Sequence, residues 1–366
     1  MLYQLLIRFK DLHIVFNLFR YITVRAGLAA LTALLTSVIF GPLIIRRLKR
    51  RKISQGPVEE KKCPVLYRLH QEKSGTPTMG GLLILGAIFL ACFLWADLRN
   101  RFIQLILFVT LWLGTLGFID DLLKIKRKSS QGLRPRVKLG GQIVLGFIIG
   151  FYLFHHPLIP EYGTCLTIPF FKSALPELGW LYIPFVILII VASSNAVNLT
   201  DGLDGLAIGS ILIAGGAFAG LSYVTGHSGM AKYLNILHMS GAGELTIFCS
   251  ALVGAGLGFL WFNAYPAQVI MGDTGSLALG GALGVLAILI KKELILLIVG
   301  GLFVLEALSV IIQVASYKLR KKRVFLSAPL HHHFELLGWK EPKIIIRFWI
   351  IAIIFALLSL GTLKLR

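Results

Sequence analysis

Ten stretches of this chain stay apolar for roughly the 20 residues that carry a helix across a hydrocarbon layer. They run over about 26–45, 79–96, 102–119, 139–154, 180–197, 206–224, 245–262, 276–290, 294–317 and 344–363. In lipid every backbone N–H and C=O must find its partner inside the segment, which leaves helices as the spanning form for runs of this length. The expectation is an all-α integral membrane protein of about ten transmembrane helices, forming one polytopic domain over residues 1–366. Composition agrees: 56% of residues are hydrophobic, 15% are charged and the mean hydropathy is +0.80. Residues 1–20 read as an interfacial helix. Arg8, Lys10 and Asp11 interrupt their apolar run, so they do not resemble a cleavable signal peptide. No internal repeat and no separable soluble domain is visible.

A net charge of +20 can point to nucleic acid, but here Lys and Arg cluster in short loops beside the apolar runs. That distribution fits membrane orientation and anionic headgroups, so no nucleic-acid partner is expected. Loops 46–78, 120–138, 193–205, 263–275 and 318–347 fall on one side and hold 25 basic residues, against 12 on the other. The first side is therefore read as cytoplasmic, although the basic N-terminal arm argues the other way. An even number of spans then places both termini outside, in the periplasm. Loop 155–179 is external, with a short hairpin expected at Thr164–Phe171. Cys63, Cys92, Cys165 and Cys249 lack metal-type spacing and are expected as free thiols.

The cytoplasmic edge gathers the chemistry. Asp120 and Asp121 end the third span, Asp201 and Asp204 lie between the fifth and sixth, and Asp273 opens the eighth. Carboxylates at a helix C-terminus oppose the helix dipole, so capping of their own helix does not explain Asp120 and Asp121. Pairing with Lys124, three and four residues on, is one account; a divalent metal or a proton transfer is the other. In Asn198-x-x-Asp201-x-x-Asp204 a spacing of three clusters the polar groups, and Gly202 and Gly205 allow close approach of backbone to a ligand. Asp204 can alternatively cap the next span. Met271-Gly-Asp273-Thr-Gly-Ser276 suits phosphate at a helix N-terminus, with Asp273 either a cap or a ligand for a bridging Mg²⁺.

Two further stretches stand out. Lys73-Ser-Gly-Thr-Pro-Thr78-Met-Gly-Gly81 offers an ammonium and hydroxyls suited to a diphosphate. Ala328-Pro-Leu-His331-His332-His333-Phe-Glu335 carries three consecutive histidines, which cannot all face one metal, so hydrogen bonding to a polar ligand is the better use. Together these groups fit Mg²⁺-assisted phosphoryl transfer between a soluble diphosphate and a lipid-borne acceptor, in a cleft on the cytoplasmic side. Glu306 and Gln313, seven apart in the ninth span, share a face and are expected to bend that span and open a lipid groove near Asp120.

The motifs in this order resemble the polyprenyl-phosphate N-acetylhexosamine-1-phosphate transferases, over nearly the whole chain. Asp120-Asp121, Asn198-Leu-Thr-Asp-Gly-Leu-Asp204 and Met271-Gly-Asp273 carry the resemblance to the superfamily, and Pro329-Leu-His-His-His-Phe-Glu335 points to its muramoyl-pentapeptide branch. The resemblance implies transfer of phospho-N-acetylmuramoyl-pentapeptide from UDP to undecaprenyl phosphate, Mg²⁺ dependence, a bacterial inner membrane and a homodimer. It implies Asp120, Asp121 and Asp273 as catalytic, with Asp273 on the metal and Asp120 deprotonating or orienting the acceptor phosphate. Lys73, Thr78, Asn198, Asp201, Gly202, Leu203, Asp204, Asn263 and Ser276 are the implied substrate contacts, with His331 and His332 closing the pocket. One departure is Ile270, where the family commonly has a Phe that resembles a stacking platform for uracil. Either the platform is apolar without stacking or another aromatic such as Phe262 or Tyr265 substitutes, and uridine binding is still expected.

Direct in-line attack of the lipid phosphate on the β-phosphorus is the favoured mechanism, with an aspartyl-phosphate route as the alternative. The competing functions are a sister transferase using UDP-N-acetylglucosamine and a secondary transporter of a phosphorylated solute. A transporter of that kind would place its acids near the bilayer midplane between inverted repeats.

Overall fold

The computed structural model describes residues 2–9, 13–51, 75–127, 132–169, 171 and 175–364. Lys73 and Cys63 lie outside the described residues; Cys92, Cys165 and Cys249 are free thiols. Among the described residues the regular secondary structure is helical, with no strand, as expected of a multi-pass membrane protein. The helices are α1 (Leu2–Arg8), α2 (Ile22–Arg50), α3 (Gly81–Trp95), α4 (Arg101–Arg127), α5 (Pro135–His155), α6 (Tyr182–Thr200) and α7 (Leu206–Gly226). They continue with α8 (Ser228–Leu234), α9 (Leu245–Asn263), α10 (Gly272–Leu289), α11 (Ile295–Val299), α12 (Gly301–Arg320), α13 (Leu330–Leu336) and α14 (Glu341–Gly361).

Among the described residues nine helical stretches are long and apolar enough to cross a membrane. The second expected span, 79–96, shrinks to α3, whose 15 residues at 1.5 Å each cover about 22 Å. The helix starts only at Gly81 because the backbone of Pro77, Gly80 and Gly81 is engaged with residues 270 and 271. Gly80 and Gly81 donate to the carbonyls of Ile270 and Met271, at 2.9 and 2.8 Å, and Ile270 donates to Pro77 at 2.8 Å. The ninth expected span is not one helix: it breaks at Gly300, between α11 and α12. The break falls at the glycine pair and not at Glu306 or Gln313, which lie within an unbroken α12. The N-terminal arm is likewise two pieces, α1 and a 3-10 segment over Ile14–Arg20.

Helix α10 is the axis of the bundle. All its residues except Asp273 are buried, and it packs against α4, α6, α3 and α7. Small residues let its neighbours approach, as is usual where helices associate without a hydrophobic drive. A Cβ on Gly117 of α4 would overlap the backbone of Asp273, and one on Gly281 would overlap Leu113. Gly117 thus places the end of α4, and with it Asp120 and Asp121, directly against the start of α10.

The opposite end of the bundle is tied by a buried ion pair. Arg25 donates to both oxygens of Glu244, at 2.9 and 2.5 Å, and the Asp97 N–H donates to Glu244 at 3.0 Å. In the external loop, Leu166 pairs with Pro176 and Leu178 with Thr164 around a single bridge between Cys165 and Glu177. That turn is wider than the expected hairpin at Thr164–Phe171. Lys291 fixes it by donating to the Gly163 carbonyl at 2.6 Å.

Candidate functional site

Three carboxylates meet where α4 runs into α10. Oxygens of Asp120, Asp121 and Asp273 lie within 4.8 Å of one another. Such closeness is repulsive unless cations intervene. Lys124, one turn beyond Asp120, reaches Asp120 at 2.7 Å and Asp273 at 3.0 Å. Lys138 of α5 reaches Asp273 from the other side at 2.5 Å. Oxygen-only ligands at this spacing are the set a hard divalent cation takes, so the cluster is able to hold a metal ion.

The two adjacent aspartates do different work. Asp120 accepts from the Leu133 N–H at 2.7 Å, and its other, buried oxygen pairs with Lys124 at 2.7 Å. Asp121 accepts from the N–H groups of Asp273 and Thr274 at 3.2 and 2.9 Å and from the Thr274 hydroxyl at 2.7 Å. Asp121 therefore caps α10, a different helix from its own, which the reading of α4 alone had no means to find. Gly272, just before, has φ +74, and a Cβ there would sit 2.8 Å from Asp121 and 2.9 Å from the Thr78 hydroxyl. Only glycine fits that backbone without strain.

The second acidic motif joins the first through this turn. The Gly272 N–H donates to Asp201, and burial, with Asp273, Asp121 and Asp204 adding, pushes the Asp201 carboxyl up to about 8. Asp204 does not cap α7; it accepts from the Ala267 N–H at 3.0 Å. Asn263 accepts from Gly205 at 3.0 Å and donates to Val269 at 2.8 Å, so it ties the 264–270 loop to the 201–205 turn. Glu341, which sequence reasoning passed over, accepts from the Asp204 N–H at 2.8 Å. Asn198 projects from the last turn of α6 with a buried, unpartnered Nδ2.

Other expected contacts are placed less openly. Thr78 is buried beside Gly272. Ser276 is buried and bonds back to Gly272 at 3.1 Å. Leu203 packs its side chain into an apolar cluster with Leu206, Ile344 and Phe348, leaving only its backbone available at the turn. Phe262 is buried against Gly41, so it supplies no platform in place of Ile270; Tyr265 is exposed in the adjoining loop.

The three histidines separate cleanly on α13. His331 faces Glu306 at 3.2 Å, His332 pairs with Glu335 at 2.6 Å, and His333 accepts from the Leu326 N–H at 3.2 Å. A Cβ on Gly202 would overlap His331, so this ring closes on the 201–204 turn.

One cavity adjoins the cluster and another lies further along α6 and α10. The first, a polar one of about 870 Å³, is lined by Asp120, Asp273, Lys124, Lys138, Arg127 and Arg134, and its wall continues to Gln142 and Asn195. Gln142 is fully buried in α5, donates to Ser194 at 3.1 Å and accepts from Asn195 at 2.8 Å. A glutamine inside an apolar run was the available signal for this wall. An apolar groove of about 330 Å³ runs between α6 and α12, past Leu188, Leu283, Phe303, Leu308 and Ile311.

Comparison with known proteins agrees with this arrangement. Residues 103–291 match Glycosyl transferase family 4, and residues 73–85 match signature 1 of phospho-N-acetylmuramoyl-pentapeptide-transferase. The chain is 53% identical over 367 residues, all of both chains, to the phospho-N-acetylmuramoyl-pentapeptide-transferase of Solidesulfovibrio magneticus. It is 54% identical over 351 residues, 96% of each chain, to that of Oleidesulfovibrio alaskensis, and 52% identical over 371 residues, all of both, to that of a Geobacter species. Full-length identity at this level, on a chain whose motif aspartates converge at one helix junction, shows that it belongs to the phospho-N-acetylmuramoyl-pentapeptide-transferase family of transferases.

Proposed function

We propose that the protein transfers phospho-N-acetylmuramoyl-pentapeptide from its UDP carrier to undecaprenyl phosphate, forming lipid I and UMP. The observation that carries this reading is the approach of Asp120 and Asp273, from separate helices, to within 4.8 Å beside a cation-lined cavity. A diphosphate needs this combination of a metal site and fixed positive charge.

Asp273 and Asp120 would hold Mg²⁺, with Asp121 fixing the turn that presents Asp273. When bound, the ion neutralises charge on the diphosphate. Asp120 orients or deprotonates the acceptor phosphate, whose oxygen attacks the β-phosphorus in line. The bond from that phosphorus to the bridging oxygen breaks, and UMP leaves with the oxygen. Positioning and charge suffice for this step, so no enzyme-bound phosphoryl group is invoked. Lys124 and Lys138 neutralise the acidic cluster before substrate arrives and are placed to meet phosphate oxygens afterwards. Asn198, Asp201, Gly202, Asp204 and the backbone of Leu203 line the nucleotide and sugar-phosphate side, with Thr78, Asn263 and Ser276 supporting it; a role for Lys73 rests on the family resemblance alone. His331 and His332 close that side.

The apolar groove and the polar cavity flank α6, where residues 192, 193, 196 and 197 face the groove and Asn195 faces the cavity. This favours an acceptor with an apolar tail and an anionic head. The excess of basic residues in loops on the Asp120 side supports a site facing the cytoplasm of a bacterial inner membrane, with both termini periplasmic. Homodimer assembly rests on the family resemblance.

The test is release of UMP by detergent-purified protein given UDP-N-acetylmuramoyl-pentapeptide and undecaprenyl phosphate. Release that needs the acceptor and stops with a chelator supports the reading. Equal turnover of UDP-N-acetylglucosamine, or no turnover outside a sealed vesicle, would refute it.

A further inference from the structure

Glu306 is a fully buried carboxylate in the first half of α12, whose neighbours from Gly301 to Leu308 are otherwise apolar. A group of this kind in a membrane span is costly without a partner and is usually functional. Its partner among the described residues is His331: Oε1 and Nδ1 lie 3.2 Å apart, and the two side chains are 0% and 1% exposed. Among the described residues no hydrogen bond reaches the carboxylate oxygens or either ring nitrogen, so the 3.2 Å contact is the only polar approach either group has there. The opposite edge of the ring, Nε2, abuts Gly202. The imidazole is thus held between a membrane-buried carboxylate and the turn that bears Asp201 and Asp204, with Nε2 unpartnered.

The same face of α12 grips the connection to α13 a second time. Gln313 accepts from Val324 and Phe325 at 3.0 and 2.9 Å and donates to the Phe325 carbonyl at 3.0 Å. The other face of α12, at Val304, Leu308 and Ile311, lines the apolar groove. The polar stripe and the groove stripe are therefore separable by substitution.

We propose that Glu306 is a positioning residue for the transfer reaction. Its carboxylate accepts from Nδ1–H of His331 and fixes the ring so that Nε2 points at the Gly202 turn and meets a polar group of the bound nucleotide sugar. A carboxylate on one nitrogen decides what the other presents, which is how a partner of this kind sets tautomer and orientation. The inference rests on the proposed function of this site.

The experiment compares steady-state kinetics of the full chain with Glu306→Gln, Glu306→Asp, His331→Ala and the Glu306→Gln/His331→Ala pair. Glutamine keeps the shape but can donate to Nδ1 and so impose the opposite tautomer. For Glu306→Gln, kcat/KM for the nucleotide sugar is expected to fall roughly ten- to a hundred-fold, with KM for the lipid acceptor and the unfolding temperature unchanged. Glu306→Asp recovers part of the loss, and the double variant is no worse than His331→Ala. Leu308→Ala, on the groove face, shifts KM for the acceptor instead. An equal loss from Glu306→Gln in the His331→Ala background, or a loss that tracks a lowered unfolding temperature, overturns the inference. Should Glu306→Gln not fold, Glu306→Asp carries the same comparison against His331→Ala. If His331→Ala is impaired while Glu306→Gln is fully active, only the positioning role fails; if His331→Ala is itself fully active, the pocket reading fails.

Discussion

Asp121 caps a helix that is not its own: its carboxylate accepts from both the N–H and the hydroxyl of Thr274, at 2.9 and 2.7 Å. The neighbouring Asp120 instead accepts from the Leu133 N–H and pairs through its other oxygen with Lys124. One aspartate builds the turn and the other faces the cation-lined cavity.

Separate losses are therefore expected from the pair. Asp121→Ala leaves the buried N-terminus of α10 without its acceptor and should cost about 2 kcal/mol of stability. Asp120→Asn relieves repulsion within the acidic cluster, so it should abolish turnover without lowering the unfolding temperature. Thermal unfolding in detergent, run beside a turnover assay, checks both.

Lys124 sits between Asp120 and Asp273, where a bound cation would also be drawn. Lys124→Met should lower the unfolding temperature in chelator and enlarge the rise produced by added Mg²⁺, because the metal then supplies the only compensating charge beside Lys138. Scanning fluorimetry across a Mg²⁺ titration reads this. An equal rise in both proteins would contradict it.

How much of this was visible beforehand depended on range. Apolar run length gave the spans, since spanning a bilayer is a local demand on sequence. Asp120, Asp121, Asp201 and Asp273 stood out because carboxylates beside apolar runs need a reason. What stayed hidden was pairing across helices. The capping of α10 by Asp121, the hold of Glu341 on Asp204 and the division of labour among His331, His332 and His333 depend on neighbours over 130 residues away or on which side of α13 each ring leaves. The break at Gly300 was misplaced to Glu306 and Gln313 because a polar residue in a span reads as a disturbance, whereas each here satisfies a partner outside the helix.

Glu293, in the turn between α10 and α11, gives the protein a pH dependence away from the acidic cluster. Burial pushes its carboxyl up to about 7 from 4.5, against the opposing charge of Lys291. Between those values the folded chain binds the proton more tightly than the unfolded chain, so stability falls as pH rises from about 4.5 to about 7, by roughly 3 kcal/mol. Unfolding temperature measured over that window should slope downward, and Glu293→Gln should lessen the slope, with buried Asp201 supplying a remainder of the same sign.

Ile270 is half-buried, and its backbone is locked to Pro77 and Gly80. An aromatic ring at this position should add stacking of about 1 kcal/mol with uracil, so Ile270→Phe is expected to lower the inhibition constant of UMP about five-fold. No change would place the base elsewhere.

The central claim is that carboxylates from α4 and α10 converge to hold one metal-bound diphosphate. Acceptor-dependent UMP release across a Mg²⁺ titration, in wild type and Asp273→Asn, tests it most directly. The expected result is metal-dependent turnover in the wild type and loss of at least a hundred-fold in the variant at every Mg²⁺ concentration, about 3 kcal/mol of transition-state stabilisation. Wild-type turnover that persists in chelator, or an Asp273→Asn enzyme with an unchanged rate, would contradict it.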